Sequence, residues 1–210
     1  MKVEFYFDPI CPFCWVTSRW LLMVQPQRGI DIEWKPFSLA LKNKELKDLN
    51  KNDKNAVEHR SSHRVLRVIQ RATLQHGASL IDLYTAFGIG FHISGKPYDN
   101  KMIESVLKQK DLPLSLLEYA DDEKIDDSLE NIIKEATEVV GNDIGVPTII
   151  YNKKGAKTGF FGPVLQELPD KDEALKLWDS LLVLASTNSF YELKRNRPSD
   201  SPDVFSTAKC

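Results

Sequence analysis

The chain has 210 residues, 42% of them hydrophobic and 28% charged, which is the composition of a globular protein with a sizeable core. The formal net charge of −2 does not indicate a nucleic acid or an acidic membrane as partner, and no apolar run approaches the ~18 residues that a membrane-spanning helix requires. The start MKVEFYF lacks the features of a secretion signal, and three cysteines are too few for a secreted disulfide scaffold, so we expect a cytoplasmic protein.

Residues 1–42 carry the pattern of a strand, a helix and a second strand. The aromatic and β-branched run over 3–7 predicts a short buried strand that is closed by an Asp-Pro pair. Apolar residues at helical spacing over 13–25 predict a helix, which Pro26 is expected to end. Alternation of apolar and polar residues over 30–37 predicts the second strand.

Residues 43–142 have a different character, because a Lys- and Asn-rich start is followed by one helical pattern after another. The predicted helices are centred on 65–72, 80–87, 102–107, 114–119 and 129–140. Gly88 and Gly90 are expected to break the second of them, and Gly141 to end the last. We therefore predict a helical block inserted between β elements.

A basic stripe marks the first helix of this block, with arginines at positions 60, 64, 67 and 71. Such a row is usually a solvated helix face, which is our prediction, and an anion site is the alternative. Histidines at positions 59 and 63 lie on the same helix, but Arg60 stands where a metalloprotease helix requires a glutamate.

The β pattern returns after the helical block. The runs over 146–152 and 158–161, separated by KKGAK, predict a β-hairpin. Gly162-Pro163 is expected to open a short helix. Asp170 begins a capping-box pattern ahead of the last helix.

These elements predict the domain organisation. Residues 1–42 and 143–193 should form one discontinuous domain, 43–142 an inserted helical domain, and 194–210 a mobile or surface-draped tail. The two halves of the discontinuous domain are expected to close into one small mixed sheet with helices on its faces. This order, with Cys-X-X-Cys at the first strand-to-helix junction, is that of an α/β thioredoxin-like fold with a large all-helical insertion.

Cys11 and Cys14 provide the chemistry. Cys11 falls at the predicted N-cap of the first helix, and Pro12 falls at the first helical position. The N–H groups of Phe13 and Cys14 can point at the Cys11 sulfur. Because the helix dipole also favours an anion there, we predict a Cys11 pKa well below the ~8.5 of an ordinary thiol. Cys14, shielded in the first turn, is predicted to be the resolving thiol.

Zinc binding and a structural disulfide are the less favoured interpretations of this pair. A closed zinc site needs two further ligands, and the remaining cysteine is Cys210 at the end of the chain. A disulfide between Cys11 and Cys14 would close too small a loop to stabilise the fold much. We therefore expect thiol chemistry and no metal site.

Val146-Pro147 is the second candidate element, because a proline before the third strand of this fold faces the cysteine pair. A cis bond there would leave the Val146 backbone able to pair with an extended substrate. The alternative is an ordinary proline at the start of a strand.

Several blocks of this sequence carry a resemblance to a known family: FDPICPFCWVTSRWLL, FSLA, FGIGFH, GVPTII, FFGPVL and FYELKR. Over residues 3–197 the chain resembles the cytosolic DsbA-like proteins of actinobacteria, the mycothiol-dependent reductases or nitroreductases. The likeness departs at Phe13, where members often have tryptophan, and over 46–58, which does not follow the family pattern.

This resemblance implies a thioredoxin fold with an all-helical insertion, and it implies Cys11 as the attacking thiolate. It also implies a reducing role coupled to mycothiol and a mycoredoxin-like protein, a homodimer, and no tightly bound cofactor. Asn43 and His92 fall where family members place pocket residues. Together with Pro12, Phe13, Val146 and Pro147 they are the candidate substrate-binding residues.

The favoured hypothesis is a thiol–disulfide oxidoreductase that acts on a disulfide or electrophilic substrate and is recycled by a low-molecular-weight thiol such as mycothiol. In it, Cys11 attacks, Cys14 resolves, and the helical insertion selects the substrate. A second hypothesis is an enzyme like kappa-class glutathione transferases or 2-hydroxychromene-2-carboxylate isomerases, which typically carry serine and no resolving cysteine. A third is a non-catalytic peptide-binding module, in which the Cys11 pKa would stay near ~8.5.

Overall fold

The computed structural model describes residues 1–47, 53–153 and 155–209. The strands are β1 (Lys2–Phe7), β2 (Asp31–Pro36), β3 (Thr148–Lys153) and β4 (Ala156–Phe161). The α-helices within the described ranges are α1 (Pro12–Arg28), α2 (Leu39–Lys42), α3 (Lys54–His76), α4 (Leu80–Gly88), α5 (Asn100–Gln109), α6 (Asp126–Val140) and α7 (Lys171–Ala185). A π-helical turn follows α4, and short 3-10 segments span Leu114–Asp121, Glu123–Ile125 and Val204–Lys209.

The chain divides into two compact units. One unit, the sheet unit, contains Met1–Tyr6, Cys11–Lys35 and the chain from Glu135 onward. The other, the helical unit, contains Phe7–Ile10 and Pro36–Lys134. These boundaries differ from the insertion of residues 43–142 suggested by the sequence.

The sheet is mixed, with the strand order β2-β1-β3-β4. β1 and β3 are antiparallel, with Val3 opposite Tyr151 and Phe5 opposite Ile149. β3 and β4 form the predicted hairpin, in which Gly159 lies opposite Ile150. A Cβ atom at Gly159 would collide with the Ile149 carbonyl oxygen, which explains a glycine within a strand.

Helix α1 follows β1 and is packed against α7. The indole of Trp20 donates to the Ala174 carbonyl over 3.1 Å, and its ring lies 5.8 Å from that of Trp178, both side chains being buried. The prediction that Pro26 ends α1 is wrong, because the helix continues to Arg28. Proline removes one backbone hydrogen bond, and Gly29, with φ of 56°, supplies the actual C-cap.

The helical unit has its own apolar core. Its fully buried members include Leu66, Ile69, Phe87, Ile103 and Leu107. The prediction that Gly88 and Gly90 break the second helix is confirmed in part: α4 ends at Gly88, but the chain continues as a π-helical turn over Ile89–Ile93. A Cβ atom at Gly90 would collide with the Met102 side chain, so that glycine allows close packing.

The loop after β4 corrects another prediction, that Gly162-Pro163 opens a helix. Residues 162–170 are irregular, and Gly162 has φ of 111°, outside the helical region. The Pro163 carbonyl accepts a hydrogen bond of 2.8 Å from the Thr17 hydroxyl of α1. The predicted cap at Asp170 is confirmed, since its side chain accepts from the Glu173 amide over 2.9 Å.

The basic stripe of α3 is not a solvated face. Arg64 and Arg67 each donate to both oxygens of a carboxylate, over 2.6–2.8 Å, from Asp121 and Asp126 respectively. The Arg67 side chain is only 8% exposed. The chain therefore supplies its own anions to this stripe, which the helical pattern of α3 alone could not reveal.

His63 joins this arrangement as a buried neutral base. Its Nδ1 lies 2.9 Å from the Ser38 hydroxyl and its Nε2 3.0 Å from Asp126 Oδ1. Burial lowers the pKa of His63 to about 4, although the charge of Asp126 opposes this shift. Arg67, which neutralises Asp126, acts in the same direction as burial.

We predict that the protein loses stability as pH falls from 6.5 towards 4. The folded state keeps His63 neutral down to a pKa of about 4, whereas the ordinary value is 6.5, so the unfolded state binds the extra proton in this window. The free energy of unfolding should fall by about 3 kcal/mol across it. Urea titrations at several pH values measure this loss, with His76→Gln, an exposed histidine on the same helix, as the control that keeps it. Equal stability at pH 7 and pH 4.5 would contradict the prediction.

Among the described residues, no helix combines the length and the apolar character needed to cross a membrane.

Candidate active site

Cys11 caps the N-terminus of α1. Its backbone is extended, with φ of −73° and ψ of 113°, and Pro12 occupies the first helical position. The Cys14 amide donates to the Cys11 sulfur over 3.4 Å, while the Trp15 amide closes the first turn onto the Cys11 carbonyl at 3.2 Å. The helix thus directs a backbone donor, together with the positive end of its dipole, at this sulfur.

The two cysteines differ in accessibility. Both are present as thiols; Cys11 is partly exposed and Cys14 is fully buried. The first turn of α1 contains no acidic residue that would oppose a thiolate at Cys11. A reagent from solvent can therefore approach Cys11 before Cys14.

Val146-Pro147, also in the sheet unit, lies beside the Cys11 sulfur. The peptide bond between these residues is cis. The Cys11 thiol donates to the Val146 carbonyl over 3.6 Å, so the structure brings these two predicted site residues together. The Pro147 carbonyl accepts from the Gly162 amide at 2.7 Å, which ties the turn to the end of β4.

The C-terminal chain contributes contacts that the sequence did not reveal. The Arg197 guanidinium carbon lies 4.8 Å from the centre of the Phe13 ring, and the Trp15 indole donates to the Thr207 hydroxyl over 2.9 Å. Neither residue belongs to a recognisable motif. The sequence predicts a mobile or surface-draped tail over residues 194–210, of which Cys210 lies outside the described residues.

Asp8, three residues before Cys11, is a buried anchor within the helical unit. Its carboxylate accepts from the backbone amides of Ile10 and Leu39, over 3.1 and 2.8 Å, and makes a short hydrogen bond with the Ser62 hydroxyl. Burial raises the pKa of Asp8 against the lowering effect of these bonds. The Asp-Pro turn is thereby held by α2 and α3.

Asn43 and His92 both lie in the helical unit. His92 Nε2 is 2.9 Å from the Pro9 carbonyl, which also accepts from the Tyr98 hydroxyl at 3.0 Å. Because a carbonyl only accepts, this nitrogen of His92 carries the hydrogen. The side-chain amide of Asn43 donates a hydrogen bond of 3.1 Å to the Glu45 carboxylate. Their assignment to substrate binding stays a prediction.

A helix that begins at a Cys-X-X-Cys pair directly after the first strand of a mixed sheet, with a large helical insertion later in the chain, defines a class of protein. This is the DsbA-like branch of the thioredoxin fold. Within that class, the model of the Rv2466c-like family, described as mycothiol-dependent nitroreductase Rv2466c, matches residues 10–195. The chain belongs to this family of oxidoreductases, which confirms the resemblance drawn from the sequence.

One relative is similar to the chain in sequence, and two solved structures are similar to it in fold. The chain is 31% identical over 205 residues to the uncharacterized protein Rv2286c of Mycobacterium tuberculosis, covering 96% of this chain and 84% of that protein. The cytosolic disulfide reductase DsbM from Pseudomonas aeruginosa superposes with a TM-score of 0.59 at 13% identity, over 88% of this chain and 100% of DsbM. 2-Hydroxychromene-2-carboxylate isomerase gives 0.54 at 16% identity, over 90% and 98%. At these sequence identities, the two structures show only that they share their fold with this chain.

Proposed function

We propose that the protein is a thiol–disulfide oxidoreductase in which Cys11 is the attacking thiolate and Cys14 the resolving thiol. The observation that carries this assignment is the position of the Cys11 sulfur, partly exposed and 3.4 Å from the Cys14 amide at the start of α1. An amide donor and a helix dipole favour the anionic, nucleophilic form of a thiol.

The reaction proceeds by two exchanges. The Cys11 thiolate attacks one sulfur of a disulfide substrate, a new S–S bond forms, and the other substrate sulfur leaves as a thiolate that takes a proton from water. Cys14, after losing its proton, then attacks Cys11. This closes the Cys11–Cys14 disulfide and releases the second substrate sulfur as a thiol.

A low-molecular-weight thiol completes the cycle. One thiol molecule attacks the Cys11–Cys14 disulfide to give a mixed disulfide, and a second releases it, so that two thiols become one disulfide while both cysteines regain their protons. The description of the family supports mycothiol in this role. The structure of DsbM in complex with GSH supports the same class of co-substrate.

Substrate contacts are assigned to the surroundings of Cys11. The Val146 carbonyl lies 3.6 Å from the sulfur and Pro147 follows it in the chain, while Pro12 and Phe13 are partly exposed in the first turn. Asn43 and His92 stay candidate substrate-binding residues on the strength of the family resemblance alone. A mycoredoxin-like partner, a homodimer and a cytoplasmic location belong to the same proposal.

The identity of the recycling thiol can be tested directly. We expect mycothiol to regenerate the Cys11 and Cys14 thiols of the oxidised protein several times faster than glutathione or thioredoxin with its reductase. Thiol-specific labelling at timed intervals, read by peptide mass spectrometry, measures the recovery. A Cys11→Ser/Cys14→Ser double variant controls for labelling elsewhere. Equal rates with all three reductants would exclude mycothiol specificity, and no recovery with any thiol would contradict the proposed cycle.

A further inference from the structure

Residues 196–209, here called the C-terminal strap, belong to the sheet unit and follow the region 10–195 that the family model matches. The Asp203 amide donates to the Gln166 carbonyl over 2.7 Å, and the Leu168 amide donates to the Ser206 hydroxyl over 2.9 Å. These bonds fasten the strap to the loop between β4 and α7.

Thr207 makes the buried contact between the strap and the candidate active site. Thr207 and Trp15 are 4% and 3% exposed. The Thr207 hydroxyl donates its hydrogen to the Val204 carbonyl over 2.6 Å and accepts the Trp15 indole N–H over 2.9 Å. The hydroxyl is thus oriented by its own segment to receive the indole, whose ring also lies 4.3 Å from the Arg19 guanidinium carbon.

Arg197 makes the second contact, an exposed one. Its guanidinium lies over the ring of Phe13, which stands between the two cysteines. Phe13 and Trp15 are the residues on either side of Cys14. The strap therefore touches both side chains that flank the amide donor of the Cys11 sulfur.

We propose that the C-terminal strap is a positioning element of the thiol site: Thr207, through Trp15, and Arg197, through Phe13, hold the first turn of α1 so that the Cys14 amide stays directed at the Cys11 sulfur. The inference rests on the proposed function. The end of a helix frays readily, and an N–H···S bond weakens quickly as its angle departs from linearity. By holding the side chains of Phe13 and Trp15, the strap keeps the hydrogen bond from the Cys14 amide to the Cys11 sulfur in place.

The test uses full-length variants and the pH dependence of Cys11 alkylation. Thr207→Val removes the hydroxyl that accepts from Trp15 and keeps the shape of the side chain. Thr207→Ser retains the hydroxyl and is the matched control. For Thr207→Val, the apparent pKa of Cys11 should rise by about half a unit to one unit, the effect expected from weakening one hydrogen bond to a charged sulfur. Thr207→Ser should follow the parent. Iodoacetamide labelling with peptide mass spectrometry separates Cys11 from the other thiols.

Arg197→Gln provides a second route to the same result. Because Arg197 is exposed, this variant should fold normally, and it should shift the Cys11 titration in the same direction by a smaller amount, with Arg197→Lys closer to the parent. Circular dichroism checks that each variant is folded. A parent pKa near ~8.5 would contradict the proposed function itself. A low parent pKa that neither Thr207→Val nor Arg197→Gln moves would overturn the role of the strap alone.

Discussion

Replacement of Cys11 by serine is expected to abolish disulfide reduction, lowering the rate by on the order of 10³-fold or more, as loss of a nucleophile does in other enzymes. The hydroxyl of serine is not ionised at neutral pH, so the helix terminus has no anion to stabilise at the N-cap. The measurement is the steady-state reduction of a small chromogenic disulfide, with mycothiol as the reductant. Cys210→Ser should retain the parental rate, since it leaves the pair at the start of α1 intact.

Cys14→Ser should behave differently from Cys11→Ser. Cys11 can still attack, but nothing in the first turn resolves the product, so a mixed disulfide with the substrate should accumulate as a mass adduct on Cys11. If Cys14→Ser instead keeps full activity that depends on glutathione, the enzyme works like a kappa-class transferase or the isomerase. If Cys11→Ser keeps full reducing activity, the assignment of the nucleophile is wrong.

Asp126→Asn should lower the free energy of unfolding by about 3–5 kcal/mol, because it leaves the buried Arg67 guanidinium without its counter-charge. Asp126 binds Arg67 through both oxygens, at 2.7 and 2.6 Å, and the two side chains are 15% and 8% exposed. The amide of asparagine has a similar shape but presents one donor group towards the guanidinium, which itself only donates.

Asp121→Asn is the matched control for this variant. Asp121 makes the same bidentate contact with Arg64, but its side chain is 72% exposed, so its loss should cost less than about 1 kcal/mol. Urea denaturation at pH 7.5 measures both variants. Equal losses for the two would show that burial of the Arg67 pair does not determine its contribution.

Much of the framework could be predicted because it depends on short-range physics. The strand–helix–strand start, the hairpin after Val146 and the N-cap position of Cys11 follow from periodicity, proline placement and capping preference within a few residues. The prediction that failed at Pro26 treated a helix breaker as sufficient, and the one at Gly162 expected a helix start where residues 162–170 are irregular. Helix α1 instead continues past Pro26 to Arg28 and ends where Gly29 adopts the left-handed conformation.

The sequence by itself determined which sulfur lies at the N-cap of α1, because a helix N-terminus and its cap are encoded in consecutive residues. It also determined the family, through blocks distributed along the chain. Only the tertiary structure decided that Arg64 and Arg67 of α3 are paired with aspartates at positions 121 and 126, and that Thr207 reaches Trp15, 192 residues earlier. Such contacts join segments far apart in the chain, and a local pattern carries no information about which distant group will meet it.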